Sequence, residues 1–299
     1  MKIRSRLARA ATLAAVIALA GCGSSSSGSS TSKDSAASKP HGTVSVLYAA
    51  SLVNTMERGV GPAFIRAGGY GFQGFGAGST ELVAQIKSGI RQGDVFISAS
   101  PKANAGLRGS GNGDWVTWYI TFAKSPLVLG YSPSSRFAAQ FRSKPWYEVI
   151  TQPGIRVGRT DPKLDPKGKL TVEALADAAA TLHMPALIHL LGGFPVFPEE
   201  SLVGRLEAGQ LDAGFFYSTE AKEQHIQTVP LTPIAKSATY TVTILRNAPD
   251  AQGAGAFVAF LLSGSGRAIL TQHGLILLTP KLVGSPSALP AKLRTYVGG

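Results

Sequence analysis

Residues 43–58, Thr43-Val-Ser-Val-Leu-Tyr-Ala-Ala-Ser51-Leu-Val-Asn-Thr-Met-Glu-Arg58, decide how the rest of the chain is read. The first half is rich in β-formers and ends in small residues. The second half puts Leu52, Val53 and Met56 on one helical stripe that continues to Val60, with Ser51 as a natural N-cap. A strand that runs straight into a helix is half of a βα unit, and a second such unit follows. Gly71-Phe-Gln-Gly-Phe-Gly-Ala-Gly78 is strand-like though heavy in glycine, and Ser79 opens a helix carrying Leu82, Val83 and Ile86 that stops at Gly89. Asp94-Val-Phe-Ile-Ser-Ala99 then reads as a short buried strand. This alternation predicts an α/β sheet with right-handed crossovers.

Beyond that core the pattern predicts strands at 118–131, 155–157, 211–217 and 239–245, and helices at about 169–182, 184–191, 200–208, 251–263 and 264–273, the last two closing the domain. No internal repeat is present. The best division gives two α/β lobes, one from both chain ends (41–128 with 237–299) and one inserted (129–236). Segments near 119–130 and 233–243 would be the hinge strands. Trp115, Trp118 and Trp146 read as core or hinge packing.

The chain has 299 residues, 44% hydrophobic and 15% charged, enough for two globular units and too apolar for a largely disordered chain. One Cys excludes a disulfide framework and any site built on several cysteines. The start, MKIRSRLARAATLAAVIALAGC, sets four cations before about a dozen apolar or small residues, which is an export signal too short to span a membrane. It ends Leu19-Ala-Gly-Cys22, similar to the bacterial lipobox, so 1–21 reads as a lipoprotein signal peptide and Cys22 as the lipidated residue. Residues 23–40 are half Ser, and with Cys22 they form an expected tether. The expected location is the outer face of the cytoplasmic membrane, reached through the lipid anchor alone. Of the 29 basic residues, Lys2, Arg4, Arg6 and Arg9 lie in the leader, leaving 25 against 17 acidic ones. That excess of eight favours approach of an anion, but the cations are scattered, with no aromatic platform, so nucleic-acid binding is not expected.

Two turns, Ala49-Ala-Ser51-Leu52 and Gly78-Ser79-Thr80, place a serine between a strand and a helix. Helix N-termini present unpaired N–H groups and partial positive charge, so two converging turns could cradle a dianion; each is also what a plain helix cap looks like. Gly168-Lys-Leu-Thr171 hints at a phosphate loop, but Lys163 stands where the first glycine is required, and the glycines of 68–78 lack the dinucleotide spacing. The five histidines are dispersed, so no imidazole metal site is expected, and no nucleophile elbow is present.

Val46-Leu-Tyr-Ala-Ala-Ser-Leu52, Gly78-Ser-Thr-Glu-Leu-Val-Ala-Gln-Ile86 and Gly93-Asp-Val-Phe-Ile-Ser-Ala-Ser100 together resemble the molybdate/tungstate-binding proteins of ABC importers. Three later segments match in order: Val157 to Gly168 with its Asp-Pro-Lys-Gly loop, Leu206 to Ser218 with its tyrosine, and Ala256 to Ser263 with Gly274 beyond. The resemblance covers nearly all of 43–280. It implies a type II, two-lobed periplasmic-binding-protein fold with a ligand cleft between the lobes, in which Ser51 and Ser79 bind oxyanion oxygens from one lobe and Tyr217 donates from the other. Asp165, Lys167 and the backbone of their loop would also face the anion. In the tungstate-type branch an Asp in the similar loop ligates the metal together with a Glu just before the tyrosine. Here that second position is Phe216, so plain tetrahedral oxyanion binding is expected, with direct ligation by Asp165 the only metal contact left open and a helix cap its other reading. Arg159 and Lys167 could neutralise Asp165, or be solvated loop charges.

The expected function is therefore capture of molybdate or tungstate for an ABC permease by a monomer with no cofactor and no catalysis. Fully deprotonated, such anions only accept hydrogen bonds, which hydroxyls and amides supply. The alternatives are the same fold binding sulfate, phosphate or a small organic anion, an anchored hydrolase using Ser51 or Ser79, and a sensor or adhesion lipoprotein.

Overall fold

In the computed structural model, which describes residues 41–297, the opening stretch is a strand, β1 (Thr43–Ala49), that turns at once into helical backbone. Cys22, the leader and the tether lie outside the described residues. The helix differs from the expected one: a 3-10 turn (Ala50–Leu52) and a wide π-helical segment (Thr55–Val60) precede the α-helix Gly61–Gly68. Ser51 sits inside the first turn, its cap position is Ala49, and it caps nothing. Leu52, Met56 and Val60 are fully buried, whereas Val53 is 39% exposed and leaves the stripe. The i, i+4, i+8 line faces the core and its neighbour does not.

β2 (Gly71–Ala77) lies parallel to β1 in the register Thr43 to Gly71 through Ala49 to Ala77. Its glycines have a steric reason, since a Cβ at Gly74 or Gly76 would stand 2.8 Å from the Tyr48 ring. β3 (Val95–Ser98) flanks β1 on the other side, also parallel. The remaining strands are β4 (Trp118–Tyr131), β5 (Val157–Thr160), β6 (Val196–Phe197), β7 (Ala213–Tyr217), β8 (Gln227–Pro230), β9 (Ser237–Ile244) and β10 (Ile276–Gly284). Their order is β2-β1-β3-β9-β4-β7-β5-β6, with β10 and β8 also paired to β4. β4 carries the join. Its residues 120–126 pair with β9, and from Leu127 onward its partners are β7 and β8.

Between the strands run the helices Ser79–Lys87, Pro166–Thr181, Glu199–Glu207, Ser218–Glu223, Ala251–Leu262 and Gly264–Gln272. The helix expected at 169–182 starts three residues earlier, because Asp165 caps it and Pro166 fits the first turn. The strand expected at 155–157 falls at Val157–Thr160. The helices at 251–272 do not close the chain: β10 follows, antiparallel to β4. Pro280 interrupts its strand signal and lies in an irregularity between Leu277 and Lys281, where a strand tolerates proline. Trp118 and Trp146 are buried, the latter donating to the Thr232 carbonyl at 3.0 Å, and Trp115 packs on a smaller apolar cluster. Among the described residues no single helix is long and apolar enough to cross a membrane.

Candidate binding site

Five polar side chains each follow or sit at the carboxyl end of a parallel strand, where α/β sheets keep their binding crevice. Ser51 follows β1, Ser79 follows β2, Asp165 follows β5, Glu199 follows β6, and Tyr217 ends β7. All five are buried.

Ser79 is the first residue of its helix, yet its hydroxyl caps nothing: Oγ accepts from the Ala99 N–H at 3.0 Å, which leaves its O–H to donate elsewhere. Ser51 Oγ pairs with the Tyr240 hydroxyl of β9 at 3.1 Å. Tyr240 in turn stands edge-on to Tyr217, ring centroids 6.3 Å apart. The Ser79 helix meets the Asp165 loop directly. The Glu81 N–H donates to the Leu164 carbonyl at 3.0 Å, and a Cβ at Gly78 would come within 2.7 Å of that same oxygen.

Asp165 does what a cap does: Oδ1 accepts from the Lys167 N–H at 2.9 Å. Its Oδ2 has no partner. Both readings of this residue therefore stay in play, one oxygen being spent and one left over. The reading of Lys167 as a solvated loop charge is wrong. Its side chain is wholly buried, and Nζ donates to both oxygens of Glu220 at 2.8 and 3.1 Å while standing 3.1 Å from Glu199 Oε1. The ammonium also lies 5.6 Å from the Phe216 ring centroid and 5.7 Å from that of Tyr217. Arg159 does not neutralise Asp165, since its guanidinium donates to the Thr160 and Leu191 carbonyls.

Glu199, Glu220 and Tyr240 escaped the sequence reading. A signal existed for the glutamates: each falls in the first turn of a helix that follows a strand, where carboxylates collect. Tyr240 sits mid-strand and had none. Two cavities flank Glu199. One of about 350 Å³ is lined by Gly78, Thr160 and Asp165; one of about 210 Å³ is lined by Ser51, Glu220 and Glu223.

The electrostatics follow from three carboxyls around one ammonium in a dry place. Burial raises Asp165, against the pull of Lys167. Burial, then the neighbouring Asp165, pushes Glu199 well above the ordinary carboxylate range. Glu220 also rises with burial, opposed by Lys167. Lys167 is raised, because the three acids outweigh its own desolvation. Burial keeps the Tyr217 phenol protonated. Its hydroxyl, Asp165 Oδ2, Glu199 Oε1 and Thr160 Oγ1 all lack a hydrogen-bond partner. Glu199 Oε1 has the Lys167 ammonium beside it, but each of the other three costs about 1–3 kcal/mol when left unpaired, and together they mark a place built for something polar. Among the described residues no His, Cys, Asp and Glu group is arranged to hold a metal ion.

The family model for bacterial extracellular solute-binding proteins matches residues 44–276. The chain belongs to that family. A solute-binding protein of Petrotoga mobilis is 28% identical over 75% of this chain and 80% of its own length. The molybdate/tungstate-binding protein WtpA of Pyrococcus abyssi is 23% identical over 70% and 75%. The periplasmic molybdate-binding protein of Azotobacter vinelandii superposes with a TM-score of 0.63 at 20% identity, over 79% of this chain and 99% of its own. These matches agree with the resemblance read from the sequence, and the fold of this solute-binding protein is the two-lobed type II periplasmic-binding-protein fold.

Proposed function

We propose that this solute-binding protein is lipid-anchored through Cys22 outside the cytoplasmic membrane and captures molybdate or tungstate for an ABC permease. The observation that carries the reading is the burial of the Ser51, Ser79 and Tyr217 hydroxyls at the strand ends, in a site with unpartnered polar atoms on Tyr217, Asp165 and Thr160. The relatives named above support the choice of ligand. The lobes would be 41–128 with 237–299 and 129–236, a division supported by the change of β4's partners after Pro126. Ligand bound to Ser51 and Ser79 would draw in the second lobe through Tyr217 and the Asp165 loop, and its hydrogen bonds to both lobes at once would stabilise the closed form. Binding needs no bond to be made or broken, and the protein acts as a receptor, as a monomer and without a cofactor.

Calorimetric titration with molybdate, tungstate, sulfate and phosphate tests this. Sub-micromolar binding of a metal oxyanion, with sulfate at least a hundredfold weaker, is the expected result; no heat with either metal oxyanion refutes it. The surplus of carboxyls favours a second reading, a phosphate-type ligand that brings its own proton to Asp165. That reading requires a phosphate preference at pH 7 that Asp165→Asn abolishes.

A further inference from the structure

We infer, resting on the oxyanion reading above, that Glu199 is a further ligand-binding residue and that it takes up a proton as the oxyanion enters, so that ligand and proton are captured together. Lys167 directs its hydrogen bonds to Glu220, and those two charges cancel. Asp165 spends one oxygen capping the Pro166 helix. Glu199 Oε1 is ion-paired with the same ammonium at 3.1 Å but accepts no hydrogen bond, so one cation serves both glutamates.

The charged and titratable groups facing Glu199 come from every neighbouring element. They are Asp165 and Lys167 at the start of the Pro166 helix, Asp161 in the loop before it, Glu81 on the Ser79 helix, Glu220 and Glu223 on the Ser218 helix, Glu200 beside it, and the two phenols of Tyr217 and Tyr240. Lys167 is the one cation among them. Glu199 alone of these lines both cavities together with Glu200, and Glu200 sits one residue further along the helix, with no part in the ion-pair cluster.

A fully deprotonated tetrahedral oxyanion offers only acceptors, and so does an ionised carboxylate. The two repel at contact where water is excluded. With a proton on Glu199 its carboxyl becomes a donor, and the oxyanion is the acceptor it would meet. Burial, which favours the neutral acid, pushes in the same direction. Asp165, Glu199 and Glu220 share the single ammonium of Lys167, so the site already carries surplus negative charge and a dianion entering it draws a proton from solvent.

The test is calorimetric titration of the full chain with tungstate at pH 7.5, in two buffers of widely different ionisation enthalpy. The difference in observed heat should correspond to about one proton taken up per tungstate, and affinity should fall by up to about tenfold per pH unit above neutrality. Glu199→Gln keeps a donor at this position without a charge. It should retain binding, lose about one proton of uptake and flatten the pH profile, whereas Glu199→Ala should weaken binding outright. Equal heats in both buffers, or full uptake in the Gln variant, overturn the inference while leaving the oxyanion reading intact. Absence of heat with tungstate and molybdate in every buffer fells the oxyanion reading instead.

Discussion

Replacing Lys167 with methionine removes the only ammonium from a buried site that holds Asp165, Glu199 and Glu220. Methionine is close in length and shape, so the loss is electrostatic rather than a cavity. Removing one partner of a buried ion pair costs about 3–5 kcal/mol. At roughly 2 cal/mol/K of unfolding entropy per residue, the 257 residues from 41 to 297 give about 0.5 kcal/mol per degree, so Tm should fall by about 6–9 °C. The sign of the pH dependence is fixed by the same groups. All three carboxyls are raised in the folded protein. A raised acid contributes stability that is present below its unfolded value and is lost as pH rises through the folded one. Without Lys167 all three rise further, so the deficit of the variant should be small near pH 5 and grow toward pH 8. Differential scanning calorimetry of both proteins at pH 5, 6.5 and 8 measures it. A Tm within two degrees of the parent at pH 8, or a deficit that shrinks as pH rises, would refute the placement of the ammonium. Adding Glu220→Gln to the variant should recover part of the loss, since it removes the charge left unpaired.

Three further expectations follow from single contacts. Tyr217→Phe deletes a buried hydroxyl that has no partner, so thermal stability should hold or rise slightly while tungstate affinity drops about tenfold or more; a clear fall in Tm would show that the hydroxyl is bonded in the free protein. Gly78→Ala puts a methyl 2.7 Å from the Leu164 carbonyl without straining its own backbone, so it should hold the Ser79 helix away from the Asp165 loop. Affinity should weaken about tenfold with Tm nearly unchanged, and unaltered binding would mean that this approach is dispensable. Glu223 accepts from Thr55 Oγ1 at 2.7 Å and pairs with His273 Nδ1 at 2.6 Å, tying the Ser218 helix to two others. Glu223→Ala should enlarge the radius of gyration in X-ray scattering of the free protein and lower affinity about three- to tenfold; an unchanged radius would contradict the tie.

Much of this was legible in the chain. The βα alternation of residues 43–99 and the placing of Ser51, Ser79, Asp165 and Tyr217 at strand ends are local properties, written in periodicity and turn residues. What the serines do there was not. Both hydroxyls are held by partners remote in sequence, Tyr240 and Ala99, rather than by the helix N-termini they precede. The ion pairs of Lys167 were hidden for the same reason: the sequence allows it to face the anion, neutralise Asp165 or lie in solvent, and nothing local announces that Glu199 and Glu220, 32 and 53 residues away, will enclose it. β10 was missed because Pro280 hides a strand whose bulge accommodates it.

The threading of β4 also sets an order of assembly. Its later residues find β7 and β8 within the next hundred positions, so β4 to β8 can pair as soon as residue 230 is available. Its earlier residues, and the open side of β3, must wait for β9 and β10, which lie near the end of the chain. A chain made from its amino end therefore completes the middle of its sequence first. The portion that begins with β1 stays unsealed until almost everything has been synthesised, its apolar strand edges in need of protection until then.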